Sequence, residues 1–168
     1  MLVDSYRFLP RSFRPFYEGR GPFAGEEGPV WAPFAHRLSA SRIALLSSAG
    51  IYLRSRHTAF DLAQEHERPE WGDPTWRSIP ASTPPEEIGV AHLHINEDDL
   101  LADPEIALPM QGLAELVREG VIGHTVANHV TVMGYQDRAL PAWKSTTAPE
   151  IVANLREQAA DGLILAPA

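Results

Sequence analysis

The 168-residue sequence contains no cysteine. Its own side chains therefore cannot supply disulfides, zinc–thiolate sites, iron–sulfur ligation or a thiol nucleophile. Cysteine use gives no indication of redox compartment. No apolar run approaches the roughly 20 residues that cross a bilayer. The opening Met1-Leu-Val-Asp-Ser-Tyr-Arg7 lacks the basic-then-apolar pattern of a signal peptide, so a cytoplasmic protein is expected. Positive charge is scarce. Fourteen Lys and Arg against 22 Asp and Glu leave a net charge of −8. Such a balance argues against nucleic acid and anionic membrane as partners. Also missing are a G-x-G-x-x-G run, a Walker sequence and a G-x-S-x-G elbow, so nucleotide binding and serine hydrolysis have no motif support.

The length suits one domain, and a 44% hydrophobic composition suffices for a core. Proline is abundant, with 15 residues concentrated in the first half and just after position 140. Residues 1–34 are rich in Pro, Gly and aromatics such as Phe8, Phe13, Phe16, Tyr17, Phe23 and Trp31. They read as an N-terminal arm docked on its own core or on a neighbouring subunit. Residues 35–168 read as a single α/β domain. Ile43 to Leu46 is a continuous apolar run, as in a strand covered on both faces. It ends in Ser47-Ser48-Ala49-Gly50, where small residues leave room for a ligand or for a tight turn. Residues 54–87 read as irregular, with Thr75 to Pro80 the most structured part. There Arg77 could bind a carboxylate.

A strand over Ile88 to Ile95 follows, breaking into Asn96-Glu-Asp-Asp99. Gln111 to Glu119 reads as a helix with Gly120 as its C′ cap. Asn128 to Gly134 reads as a strand. A helix is expected to start at a Thr147 cap, with Ile151, Leu155 and Ala159 as its buried stripe. Leu163 to Ala168 reads as a short closing strand. Helices separate the later strands, so the expected fold is a three-layer α/β sandwich with a largely parallel sheet.

Strand periodicity would send His92 and His94 to one face, with Asp98 and Asp99 just beyond. This is the densest chemical cluster in the sequence. Three readings stand. His92 and His94, with an acid, would suit a divalent metal, and His124 or His129 would add a ligand. The same residues could shuttle protons or bind a substrate without metal. They could also be hydrogen-bonded structural histidines beside helix-capping acids. Ser47, Ser48, Gly50, Arg77 and His124 are the further substrate-binding candidates. No cofactor is required by any motif.

Several short stretches carry a resemblance in their order. They are Val3-Asp-Ser-Tyr-Arg-Phe-Leu-Pro10, Ala44-Leu-Leu-Ser-Ser-Ala-Gly50, Ser78-Ile-Pro80, His92-Leu-His94 through Asp103-Pro104, Glu119-Gly-Val-Ile-Gly123, Met133-Gly134 and Gly162-Leu-Ile-Leu-Ala-Pro167. Together they resemble the selenoprotein B family, the B components of glycine, sarcosine, betaine and D-proline reductases. The resemblance implies an α/β fold, a small-molecule substrate and a place as a homo-oligomer or reductase-complex subunit. It also implies C–N cleavage by an attacking selenocysteine or cysteine, with a pyruvoyl-bearing subunit able to hold the amine. In the family that nucleophile lies beyond the strand matching Leu163 to Pro167. No such residue occurs here, so no catalytic residue carries over. Neither hydroxyl nor imidazole replaces a soft, low-pKa selenolate. The alternatives are a relative cut short, an enzyme of different chemistry at the His/Asp cluster, or a non-catalytic accessory subunit.

Overall fold

In the computed structural model the described residues are 32–68, 71–136 and 140–168, with Pro15, Glu18 and Gly19. Residues 1–33 and 34–168 are separate compact units. In the first, Pro15, Glu18 and Gly19 are helical and exposed. The docking expected of the aromatic arm lies otherwise outside the described residues.

The second unit is built on β1 (Arg42–Ser47). Ala44 and Leu45 have no exposed surface, as a two-sided apolar run requires. Along one edge, β1 pairs in parallel first with β5 (His124–Thr125) and then with β6 (Asn128–Val132). Along the other it pairs in parallel with β7 (Gly162–Ala166). The antiparallel strand β3 (Trp76–Pro80) borders β6. The sheet is thus mostly parallel with one antiparallel edge.

Side chains alternate across it. Ile43, Leu45 and Ile79 face a layer made of a second, two-stranded sheet and two helices. That second sheet is β2 (Ile51–Leu53) antiparallel to β4 (Ile88–Val90). The helices are α2 (Glu97–Ala102) and α3 (Met110–Arg118), which insert Leu100, Met110 and Leu113. The opposite face carries Leu46, Val130 and Val132, covered by Ile151 and Leu155 of α4 (Ala148–Glu157). This is the expected three-layer α/β arrangement.

Four local expectations are corrected. The strand opening at Ile88 stops at Val90 and belongs to the small sheet. The backbone N–H groups of His92 and His94 bond to the Glu97 carboxylate and to His92 Nδ1, so no neighbouring strand receives them. Residues 54–87 are not wholly irregular. Asp61 caps α1 (Leu62–Glu67) by accepting from the Gln64 N–H at 2.9 Å. Thr147 caps nothing. It is itself helical, and its hydroxyl donates to the Pro74 carbonyl. Helix enters earlier, through Leu140–Ala142 and a π-helical turn Trp143–Thr147. Ala159 is exposed at φ 53°, past the end of α4, and so lies outside the buried stripe.

Candidate functional site

The parallel strands β1, β6 and β7 end on one edge of the sheet, where α/β proteins place their ligands. Ser48, Met133-Gly134 and Pro167 follow those ends. The loop after β4 joins them, because Ala91 N–H donates to the Gly50 carbonyl at 3.0 Å.

His92 sits in that loop with only 5% of its surface exposed. Its Nδ1 accepts the His94 N–H at 3.1 Å, so the neutral ring carries its proton on Nε2. That Nε2 is buried without a partner. A methyl group placed on Gly134 would lie 3.3 Å from it. Burial first, and then the charge of His94, lower the His92 pKa, while Glu97 opposes them. His92 is therefore a neutral imidazole at pH 7.

His94 projects outward with 61% of its side chain exposed. Its ring meets that of His92 edge-on at 5.9 Å between centroids and that of Tyr135 at 6.1 Å. Beneath it lies Glu65, whose Oε1 is 3.6 Å from His94 Nε2. The Glu65 side chain is 1% exposed, and neither carboxyl oxygen receives a hydrogen bond. Burial raises its pKa, His94 pulls it back, and Asp73 adds to the rise. A buried acid held toward its neutral form, with an exposed imidazole as its route to water, can take up and release a proton.

The structure therefore brings His92 and His94 together, but not by strand alternation. Nor do Asp98 and Asp99 join them. Both are exposed in the first turn of α2, where Asn96 accepts the Asp98 N–H and donates to Asp99 Oδ2 at 2.8 Å. The carboxyls beside the histidines are Glu65 and Glu97 instead. Among the described residues no three His, Cys, Asp or Glu side chains form a metal-holding group.

Of the substrate-binding candidates, Ser48 lines a cleft at this edge. Ser47 is buried, and its hydroxyl accepts the Ala49 N–H. The space at Gly50 is not open: a Cβ there would run into the Ala91 carbonyl, and its φ of 65° favours glycine. Arg77 spends its guanidinium on Thr58, Ala59, Thr75 and Trp76 while stacking 4.2 Å over Phe60. It staples a loop and presents no free fork. His124 pairs with Arg42 at the opposite end of β1, about 16 Å away along the strand. His129 is buried in β6 and accepts the Leu45 N–H, with burial lowering its pKa to about 4.

Sequence reasoning missed Glu65 and Tyr135. The capping pattern Asp61-x-x-Gln64 signals α1, but nothing local marks Glu65 as its buried residue.

No family model matches the chain. It is similar to D-proline reductase subunit gamma of Acetoanaerobium sticklandii, with 26% identity over 137 residues. The chain is a distant relative of that reductase subunit. The match covers 82% of the chain but 52% of the relative, so the chain spans about half the length of the protein it matches. No solved structure matches. Among the described residues, no helix is long and apolar enough to cross a membrane.

Proposed function

We propose that the chain is a component of the selenoprotein B type, acting in a cytoplasmic amino-acid reductase assembly without supplying the redox nucleophile. In this reading the His92–His94–Glu65 cluster binds part of a small substrate and handles its protons. The sulfur or selenium centre comes from outside these residues. The observation that carries the reading is the similarity to D-proline reductase subunit gamma, which extends over most of the chain. The lack of any cysteine supports the division of labour. Glu65 and His94 support the proton-handling role, since an imidazole open to water stands over a buried acid. A divalent metal on His92 and His94 is the weaker reading, because the nearest carboxyls do not complete a three-ligand group with them.

Incubation of the purified chain with D-proline, glycine or betaine and a dithiol tests the division of labour. No turnover is expected, and turnover would overturn it. Substrate binding is tested separately by NMR titration with D-proline. Shifts centred on His94 and Tyr135, abolished in Glu65→Gln, are expected. A spectrum unmoved by D-proline would remove the cluster from substrate binding.

A further inference from the structure

The outer edge of β7 is a binding surface of another kind, and it does not depend on the reductase reading. One side of β7 pairs with β1 without a break, from Ile43 opposite Gly162 to Ser47 opposite Ala166. Among the described residues no strand pairs with its other side. Edge strands of monomers are usually guarded by charges, prolines or bulges. Gly162-Leu-Ile-Leu-Ala166 carries none of these. Its Leu163, Ile164 and Leu165 are 40%, 46% and 64% exposed.

The direction of the backbone shows which groups are free. The Ala166 carbonyl accepts the Ser48 N–H at 3.2 Å, on the β1 side. Successive residues of a strand turn their backbone groups to opposite sides, so Gly162, Ile164 and Ala166 serve β1. Leu163 and Leu165 therefore hold their N–H and C=O groups outward, two donors and two acceptors placed symmetrically about Ile164.

That edge is complementary to itself. Lay a second β7 antiparallel to it, with a two-fold axis at Ile164. Leu163 then stands opposite Leu165 of the other copy, and the two Ile164 residues face each other. Each Leu163–Leu165 pair exchanges two hydrogen bonds, which satisfies every outward group of both strands. The register on β1 sets the faces: both leucine pairs lie on the Leu46 side of the sheet and the isoleucine pair on the Leu45 side. Like charges do not meet. Asp161 of one copy falls opposite Pro167 of the other, and Pro167, having no N–H, ends the ladder.

We infer that β7 is the contact of a reversible homodimer in which two copies join their sheets edge to edge. A two-fold contact of this kind closes at two copies. Three half-exposed side chains on a five-residue edge fall short of the roughly 800 Å² that each partner buries in a stable pair. The dimer is accordingly weak, and its population follows protein concentration.

The lack of cysteine makes single-cysteine probes clean. At the axis the two Ile164 residues form a non-hydrogen-bonded pair with Cα atoms about 4.5 Å apart, within disulfide range. The two Leu163 residues stand about 8 Å apart, beyond it. Under mild oxidation of the whole chain, Ile164→Cys should cross-link to a covalent dimer, and Leu163→Cys roughly tenfold less. Sedimentation equilibrium of the parent from about 10 μM to about 1 mM should show a dimer growing with concentration. Leu165→Pro should leave only monomer with an unchanged circular dichroism spectrum, because the N–H it deletes points away from β1. The inference is overturned if the parent stays monomeric or forms species larger than a dimer. It is also overturned if Leu163→Cys cross-links as readily as Ile164→Cys, or if a folded Leu165→Pro dimerises like the parent. Should Leu165→Pro fail to fold, the cysteine pair decides alone.

Discussion

Acidification should weaken this fold through one residue, His129, and by an amount that can be worked out. Its imidazole is 1% exposed in β6, between the main sheet and the small one. Nδ1 accepts the Leu45 N–H at 3.2 Å, so the native state needs the neutral ring. Burial lowers the native pKa to about 4, against 6.5 for the free side chain. On lowering the pH, the unfolded chain therefore binds the proton first. Stability is fully present above pH 6.5 and drains away as the pH falls toward 4. At about 1.4 kcal/mol per pH unit, that gap comes to about 3 kcal/mol. Urea unfolding from pH 7.5 to 4 would measure it, alongside His129→Asn. The asparagine oxygen can still accept the Leu45 N–H but has no proton to gain. Other groups titrate alike in both proteins and cancel in the difference. The parent should lose about 3 kcal/mol relative to the variant across that window. Parallel stability curves would refute the account.

Three other outcomes follow from the same structure. Glu65→Gln should gain stability on the parent as pH rises from 5 to 8, because a carboxyl with a raised native pKa loses stability on deprotonation; urea midpoints at the two pH values check it. Gly50→Ala should destabilise by roughly 2–4 kcal/mol in calorimetry, since alanine meets both a left-handed φ and the Ala91 carbonyl. Ile151→Ala should cost about 3 kcal/mol in denaturant unfolding, because Ile151 is the buried anchor of α4 on Val130 and Val132.

What could be read from the sequence was whatever periodicity and caps encode locally. The two-sided apolar run Ile43–Leu46 is β1, the alternation from Asn128 is β6, and Gly120 at φ 73° follows α3. The failures have a common cause, in that side chains took over backbone partnerships. Ala91-His-Leu-His-Ile95 alternates like a strand, yet the N–H groups of His92 and His94 bond to the Glu97 carboxylate and His92 Nδ1 rather than to a ladder. Thr147 and Pro149 look like a helix start, yet the chain is already helical at Leu140. The π-helical turn widens the backbone just before Pro149, whose ring would clash with a regular preceding turn.

The histidine cluster shows the same limit at the level of function. His92 and His94 were visible because both lie in one stretch and their spacing is short. The acids nearest them in sequence, Asp98 and Asp99, become exposed first-turn residues of α2, tied to its Asn96 cap. Glu65 comes from a helix some 30 residues earlier, and its neighbours Gln64, His66 and Glu67 suggest a solvated face. Burial of that carboxyl depends on the loop after β4 folding back over α1, which only the tertiary structure reveals. An acid kept from solvent yet 3.6 Å from an exposed imidazole holds its proton more tightly than its sequence context suggests. Replacing that imidazole by an uncharged ring in His94→Phe, which keeps the cover over the carboxyl, should raise the Glu65 pKa further, because burial, the main cause of the rise, stays and the interaction that lowers it is lost. Carboxyl-carbon NMR titration of Glu65 in parent and variant reads this directly, and an unchanged or lower pKa in the variant would show that the two groups are not coupled.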